Sequence, residues 1–140
     1  MLGMLINPNI AWAPSAWKFW VDHIMKQKSN YGFKRAALYY TNGVVASATA
    51  KLNVKTNEIL ALGKYFEDLK VQQTISLQGK TYIVKKADES QIIAFNGNKY
   101  FIICRSKSMY VIALSESRLK YEEGAEWLQR LTNKLIEKDY

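Results

Sequence analysis

One histidine, His23, and one cysteine, Cys104, are the only residues of their kind in this chain, so chemistries that need these side chains in sets have little to draw on. A histidine-based triad would have to use a residue flanked by Asp22 and Ile24 in a helical stretch, with no serine or cysteine elbow to serve it. One His and one Cys cannot supply a zinc site of the usual nitrogen and sulfur kind. Gly79 and Gly97 each stand alone in turns, so no glycine-rich phosphate cradle exists. Glu122, Glu123 and Glu126 share a helix with Arg130 and read as a solvated, ion-paired face rather than an acid and base pair. What remains is aromatic: Trp17 and Trp20 near the start of the chain and Tyr140 at its end. Large rings at both ends need a shared place to pack. A binding module is expected, with no catalytic residue, no metal and no cofactor.

Length and composition agree with that class. A chain of 140 residues buries most of its apolar surface without disulfides or metal. With 49% hydrophobic and 23% charged residues it is one globular domain, not a disordered chain. Cys104 sits in the apolar run Tyr100-Phe101-Ile102-Ile103-Cys104, which reads as a small buried hydrophobe in a reducing compartment. No stretch reaches the roughly 20 apolar residues of a membrane span, and the first eight residues lack the basic start and long apolar centre of a secretion signal. A cytoplasmic protein is expected, with residues 1–14 a flexible N-terminal extension and residues 15–140 the folded domain. The net charge of +8 draws the surface to anionic partners without choosing among acidic protein, phosphoinositide headgroups and nucleic acid.

The elements that must position these residues follow from periodicity and turn chemistry. Pro14 and Ser15 start a helix whose Trp17, Trp20, Val21, Ile24 and Gln27/Lys28 keep a helical rhythm, ending near Asn30-Tyr31-Gly32. Strands over residues 36–41 and 44–49 flank Asn42-Gly43, the pair that best tolerates a tight hairpin turn. Thr56-Asn57 caps a helix carrying Ile59, Leu60, Leu62, Tyr65 and Phe66, ended by the polar stretch after Asp68. Residues 74–77 and 81–85 flank Gln78-Gly79-Lys80, and residues 91–95 and 99–104 flank Asn96-Gly97-Asn98, as two antiparallel hairpins. A last strand, 109–114, leads into a helix from about Tyr121 with a buried stripe of Ala125, Leu128, Leu131, Thr132 and Leu135. The fold class is α+β: an antiparallel meander with the first and last helices packed together on one face and a further short helix on the other.

These segments, in this order, resemble the profilin family. The opening helix Trp17-Lys18-Phe19-Trp20-Val21-Asp22, the strands Ala36-Ala37-Leu38 and Val44-Val45-Ala46, the segment Leu77-Gln78-Gly79-Lys80-Thr81-Tyr82-Ile83-Val84 and the closing Leu135 to Tyr140 carry the likeness. The resemblance implies an actin-monomer-binding regulator of the cytoskeleton that also takes proline-rich peptides and phosphoinositides. A polyproline II peptide is already stiff, and flat rings slot between its prolines while a Trp N–H or Tyr O–H bonds its carbonyls. For this site the resemblance names Trp17, Trp20 and Tyr140, with Val45 and Lys134 standing where many profilins carry further rings, a change that weakens or alters peptide specificity. It further implies that Trp17→Ala abolishes peptide binding and leaves the fold intact.

For actin the resemblance points to Lys86, Lys120, Glu126 and Arg130, with the charges at the last two exchanged relative to the usual Lys and Glu, and to Lys99 as a nearby substitute for the basic residues common where Ala94 and Asn96 stand. Lys26, Lys28, Lys34 and Arg35 are the residues for a phosphoinositide headgroup. The expected partners are an actin or actin-like monomer, proline-rich proteins and anionic lipid; nucleic acid is not expected, and the protein is read as a monomer. A longin- or roadblock-like scaffold subunit for trafficking or GTPases stands as the alternative. A small-ligand sensor would need a cavity that Tyr82, Phe95, Phe101 and Tyr110 tend to fill.

Overall fold

The computed structural model describes residues 14–68 and 74–140. The expected N-terminal extension up to residue 13, and residues 69–73 of the polar stretch after Asp68, lie outside the described residues. Helix α1 spans Pro14–Met25, and its Trp17, Val21 and Ile24, three to four residues apart, are all buried. It stops before the predicted end. Gln27 N–H bonds the Ile24 carbonyl three residues back, a tightening that ends the helix. A single turn, α2 (Lys28–Tyr31), then closes on Gly32 at φ 76°, in the left-handed region.

Strands β1 (Phe33–Tyr40) and β2 (Val45–Ala48) form the first hairpin, followed by α3 (Thr56–Glu67). Strands β3 (Thr74–Leu77), β4 (Lys80–Ala87), β5 (Gln91–Asn96), β6 (Lys99–Arg105) and β7 (Met109–Ser115) follow, and α4 spans Tyr121–Glu137. The strands make one sheet in the order β2-β1-β7-β6-β5-β4-β3, antiparallel at every pairing. The expected α+β meander is therefore present. Among the described residues no helix is long and apolar enough to cross a membrane.

Two apolar clusters cover the two faces of the sheet. Trp17, Val21 and Ile24 of α1 and Leu128, Leu131 and Leu135 of α4 pack on Ala36, Leu38, Ile102 and Val111. On the other face Ile59, Leu62 and Phe66 of α3 pack on Ala37, Tyr39, Ile103 and Ile112. Neighbouring residues of one strand thus serve opposite cores. A strand covered on both sides needs no polar face, and β7 is buried at all seven of its positions. The interior that a ligand sensor would need is filled, with Tyr82 and Phe101 meeting edge to face at 5.0 Å.

The three turns differ in chemistry. At Asn42-Gly43 the loop is one residue longer than a two-residue turn, and positive φ falls on Gly43 alone, at 98°. A Cβ there would come within 2.6 Å of Thr56 Cγ2, so glycine also lets α3 approach the hairpin. Gln78-Gly79 is a two-residue turn with positive φ at both positions, 55° and 77°. Gly97-Asn98 is positive at its first residue only.

Glu58 explains how Gln78 tolerates the left-handed region. Buried at the start of α3, its carboxylate accepts the Gln78 and Gly79 amides at 2.7 and 2.9 Å, the Ser76 hydroxyl at 3.1 Å and the Lys55 amide at 3.0 Å. One acidic side chain caps α3 and ties it to the β3–β4 turn. Burial acts to raise its pKa, but the donors from Gly79, Lys55, Gln78 and Ser76 outweigh burial and hold it below the usual glutamate value.

A carboxyl whose folded pKa is depressed stabilises the protein above its unfolded pKa and loses that contribution as pH falls through the folded value. Glu58→Gln should lower stability at neutral pH by about 1–3 kcal/mol in urea unfolding. Below about pH 4.3 the unmodified protein should lose stability more steeply than the variant. Parallel pH profiles for the two would show that the carboxylate charge contributes nothing.

Candidate functional site

The two terminal helices lie side by side, as expected, but their rings divide between packing and exposure. The Trp17 ring stands edge-on to Tyr140 at 5.2 Å and to Tyr40 at 6.4 Å. At 2% exposure Trp17 belongs to the core, not to an exposed ledge. Tyr140 is half-buried and held by its main chain. Its oxygen accepts the Ser108 amide at 2.6 Å and the hydroxyls of Ser106 and Ser108, each at 2.8 Å. Lys107 pairs with Asp139 beside it. Burial, then the neighbouring Tyr40, raises the Tyr140 pKa, so its hydroxyl remains a neutral donor.

One helical phase away from the buried stripe, α1 presents Ala16, Phe19, Trp20 and His23 to α4, which answers with Leu131, Lys134 and Lys138. Between them lies an open groove of about 720 Å³. Trp20 and Lys134, two of the residues that the resemblance names, both line it. Phe19, 71% exposed, and His23 carry no predicted role. Their signal was the spacing 16, 19/20, 23, a second apolar stripe beside the first.

Val45 does not join them. Leu38 pairs with Ser47 but Tyr39 pairs with Val45, so Ala46 is an extra residue bulged from β2. Val45 follows Tyr39 to the α3 face, where it borders a depression with Leu52 and Val54. Ala46 takes the place beside α1.

A second surface lies where the sheet emerges from under α4. On the α4 side of β4, Ile83 pairs with the core residue Phe95 yet is 64% exposed. The register then slips between Val84 and Lys86, a bulge that turns both Lys85 and Lys86 toward α4. They face Glu122, Glu126 and Gln129 across a cleft of about 410 Å³. Lys86 Nζ reaches Gln91 Oε1 at 3.5 Å, and buried Gln91 donates to the Ala125 carbonyl at 2.8 Å, fixing α4 to β5. Arg130 pairs with Glu126 at 3.3 Å, one turn apart on the exposed face. Arg118 lies over the Phe95 ring at 4.0 Å, and exposed Lys120 precedes α4.

Lys86, Glu126 and Arg130 are thus brought together, with Lys120 at the start of the same helix. Lys99 is not. It lies between Asn98 and Tyr100 with the parity of Phe101, on the α3 side, 3.8 Å from Glu116. Glu116 also binds Lys34, and this hydrogen bond, ahead of the other nearby cations, holds its carboxyl below the usual range.

The four residues predicted for a phosphoinositide do not form one patch. Lys26 and Lys28 are exposed around the α1–α2 turn, Lys34 is engaged by Glu116, and Arg35 Nε bonds the Ala50 carbonyl at 3.2 Å. Cys104 is fully buried, and burial, only partly offset by Gln91 and Thr132, pushes its thiol up to about 12. It remains a neutral packing residue.

Residues 15–140 match the family model for Profilin. Caenorhabditis elegans Profilin-3 is 27% identical over 106 residues, covering 74% of this chain and 84% of that protein. Schizosaccharomyces pombe profilin superposes with a TM-score of 0.78 at 23% identity, over 89% of this chain and 99% of that one. LokiProfilin1, solved in a complex with rabbit actin, superposes with a TM-score of 0.73 at 17% identity, over 88% and 96%.

Burial reverses the expectation for Trp17→Ala. Emptying the space between Tyr40 and Tyr140 should cost about 3–5 kcal/mol, whereas Phe19→Ala and Lys134→Ala should each stay within about 0.5 kcal/mol of the parent. Thermal and urea unfolding of the three variants checks this, and a Trp17→Ala protein of parental stability would mean that the ring is not a core residue.

Proposed function

The chain belongs to the profilin family, and on that premise we propose that it regulates actin assembly as a binding protein, not an enzyme, holding an actin monomer on the β4–α4 surface and a proline-rich segment in the α1–α4 groove. The observation that carries the first half is the uncovered sheet at β4. Ile83 offers an exposed apolar residue bordered by Lys85 and Arg118, and the adjoining cleft adds Lys86, Glu122 and Glu126, the last paired with Arg130, so that both signs of charge lie to one side of it. An apolar centre with a charged rim is how protein interfaces gain affinity and register. The pairing of Glu126 with Arg130 makes that rim locally neutral, so Lys85 and Lys86 supply the attraction for an acidic actin surface.

The second half rests on the groove. A polyproline II strand fits a cleft with exposed flat rings because it loses little entropy on docking. Here Phe19 and Trp20 provide the rings, and Lys134 and Lys138 a basic rim. The groove and the β4 surface use different faces of α4, so both ligands can be held at once. Such a protein suppresses unassisted nucleation and delivers monomers to filament-building proteins. Lys26 and Lys28 supply the exposed charge for an anionic phosphoinositide headgroup, and the cytoplasm is the proposed compartment. The match to the Profilin model over residues 15–140 sets aside the longin- or roadblock-like alternative.

Stoichiometric protein should slow the spontaneous polymerisation of purified actin followed by fluorescence. Lys86→Glu should weaken actin binding by tenfold or more, equivalent to about 1.4 kcal/mol, while leaving the unfolding curve in place. Unaltered assembly kinetics with the parent protein would remove actin as the partner. An effect that survives Lys86→Glu undiminished would place the interface elsewhere.

A further inference from the structure

The first residue of the α1–α4 groove, Ala16, is three residues beyond the segment that precedes α1, and the chemistry of that segment matches the groove. Residues 1–13 contain no Lys, Arg, Asp or Glu, and nine of the thirteen are apolar. They run directly into Pro14 of α1, and Ala16, Phe19, Trp20 and His23 then line the groove in order.

We propose that residues 1–13 dock in the α1–α4 groove of their own chain as an intramolecular ligand, with Trp12 as its anchor, and so compete with proline-rich peptides. This rests on the reading of the groove as the peptide site. Three physical points carry it. An uncharged, largely apolar stretch and an open groove with Phe19 71% exposed are each unfavourable in water, and covering one with the other relieves both. Reach is sufficient: thirteen residues extend up to about 43 Å, whereas α1 is about 18 Å long. Tethering also supplies an effective concentration in the millimolar range, so weak contacts suffice to occupy the site.

The buried thiol of Cys104 makes the test simple, because a cysteine introduced in the segment is the reactive one. The full-length Leu5→Cys protein carrying a nitroxide label should broaden the NMR signals of Phe19, Trp20, His23 and Lys134, independently of protein concentration. Adding decaproline should relieve the broadening. In the full-length chain, Trp12→Ala should bind decaproline about tenfold more tightly than the parent, because it weakens the competitor.

No broadening at His23 and Lys134 would overturn the proposal. So would broadening that appears only when labelled protein is mixed with an isotope-enriched, unlabelled copy, since the occupant would then be a second molecule. Equal decaproline affinity in parent and Trp12→Ala would overturn the competition. If decaproline binds neither protein but intramolecular broadening persists, the docked segment stands and the polyproline reading of the groove fails.

Discussion

The pairing of β1 with β7 is the constraint on which the rest of this molecule depends. It runs from Phe33 opposite Ser115 to Tyr40 opposite Met109 and joins the first hairpin to the five-stranded meander. Because side chains alternate across a sheet, this register sends Ala36 and Leu38 to the α1–α4 core and Ala37 and Tyr39 to the α3 core. A slip of one residue would exchange the two sets and leave both cores mismatched. The same pairing brings α1 beside the final residues, so that α1 and α4 share one face of the sheet. The groove between them exists because two strands distant in sequence are neighbours in space.

Local chemistry made much of this legible before any coordinates. Asn42-Gly43, Gln78-Gly79 and Gly97-Asn98 each announce a reversal, and the apolar runs between them are too short for helices, so a meander follows. The amphipathic stripe of α4 is likewise plain from Leu128, Leu131 and Leu135. Bulges were not legible. The extra residue at Ala46 and the slip before Lys86 change which face each following side chain meets, and a period-two pattern carries no mark of an insertion. The resemblance names Val45 for the groove, whereas the first bulge carries it to the α3 face, and the second gives Lys85 and Lys86 their shared orientation. Lys99 emerges on the α3 side, apart from Lys86, since nearness in sequence does not specify on which side of a strand a charge emerges.

The aromatic residues of α1 show a different limit. Trp17 and Trp20, three residues apart, both satisfy a helical stripe, and periodicity alone cannot tell the ring that fills the core from the ring at its edge. The distinction came from partners far along the chain, Tyr40 and Tyr140, whose own positions depend on the hairpin and on the Ser106 and Ser108 contacts with the final residue. Glu58 is similar. Thr56-Asn57 reads in sequence as the cap of α3 and Glu58 carries no expected role, yet Glu58 accepts the Lys55 amide and receives both amides of a turn some twenty residues later. Long-range polar hubs of this kind leave almost no trace in local sequence.

The outermost strands, β2 and β3, are only four residues each. They end the sheet on its two sides, and β2 is further distorted by its bulge, so neither short edge is a good template for lateral strand addition by another molecule. A protein built this way can accumulate to high abundance without its sheets zipping together. Phe19 and Ile83, among its most exposed apolar side chains, lie outside those edge strands, on surfaces where side chains, and not backbone, select the visitor.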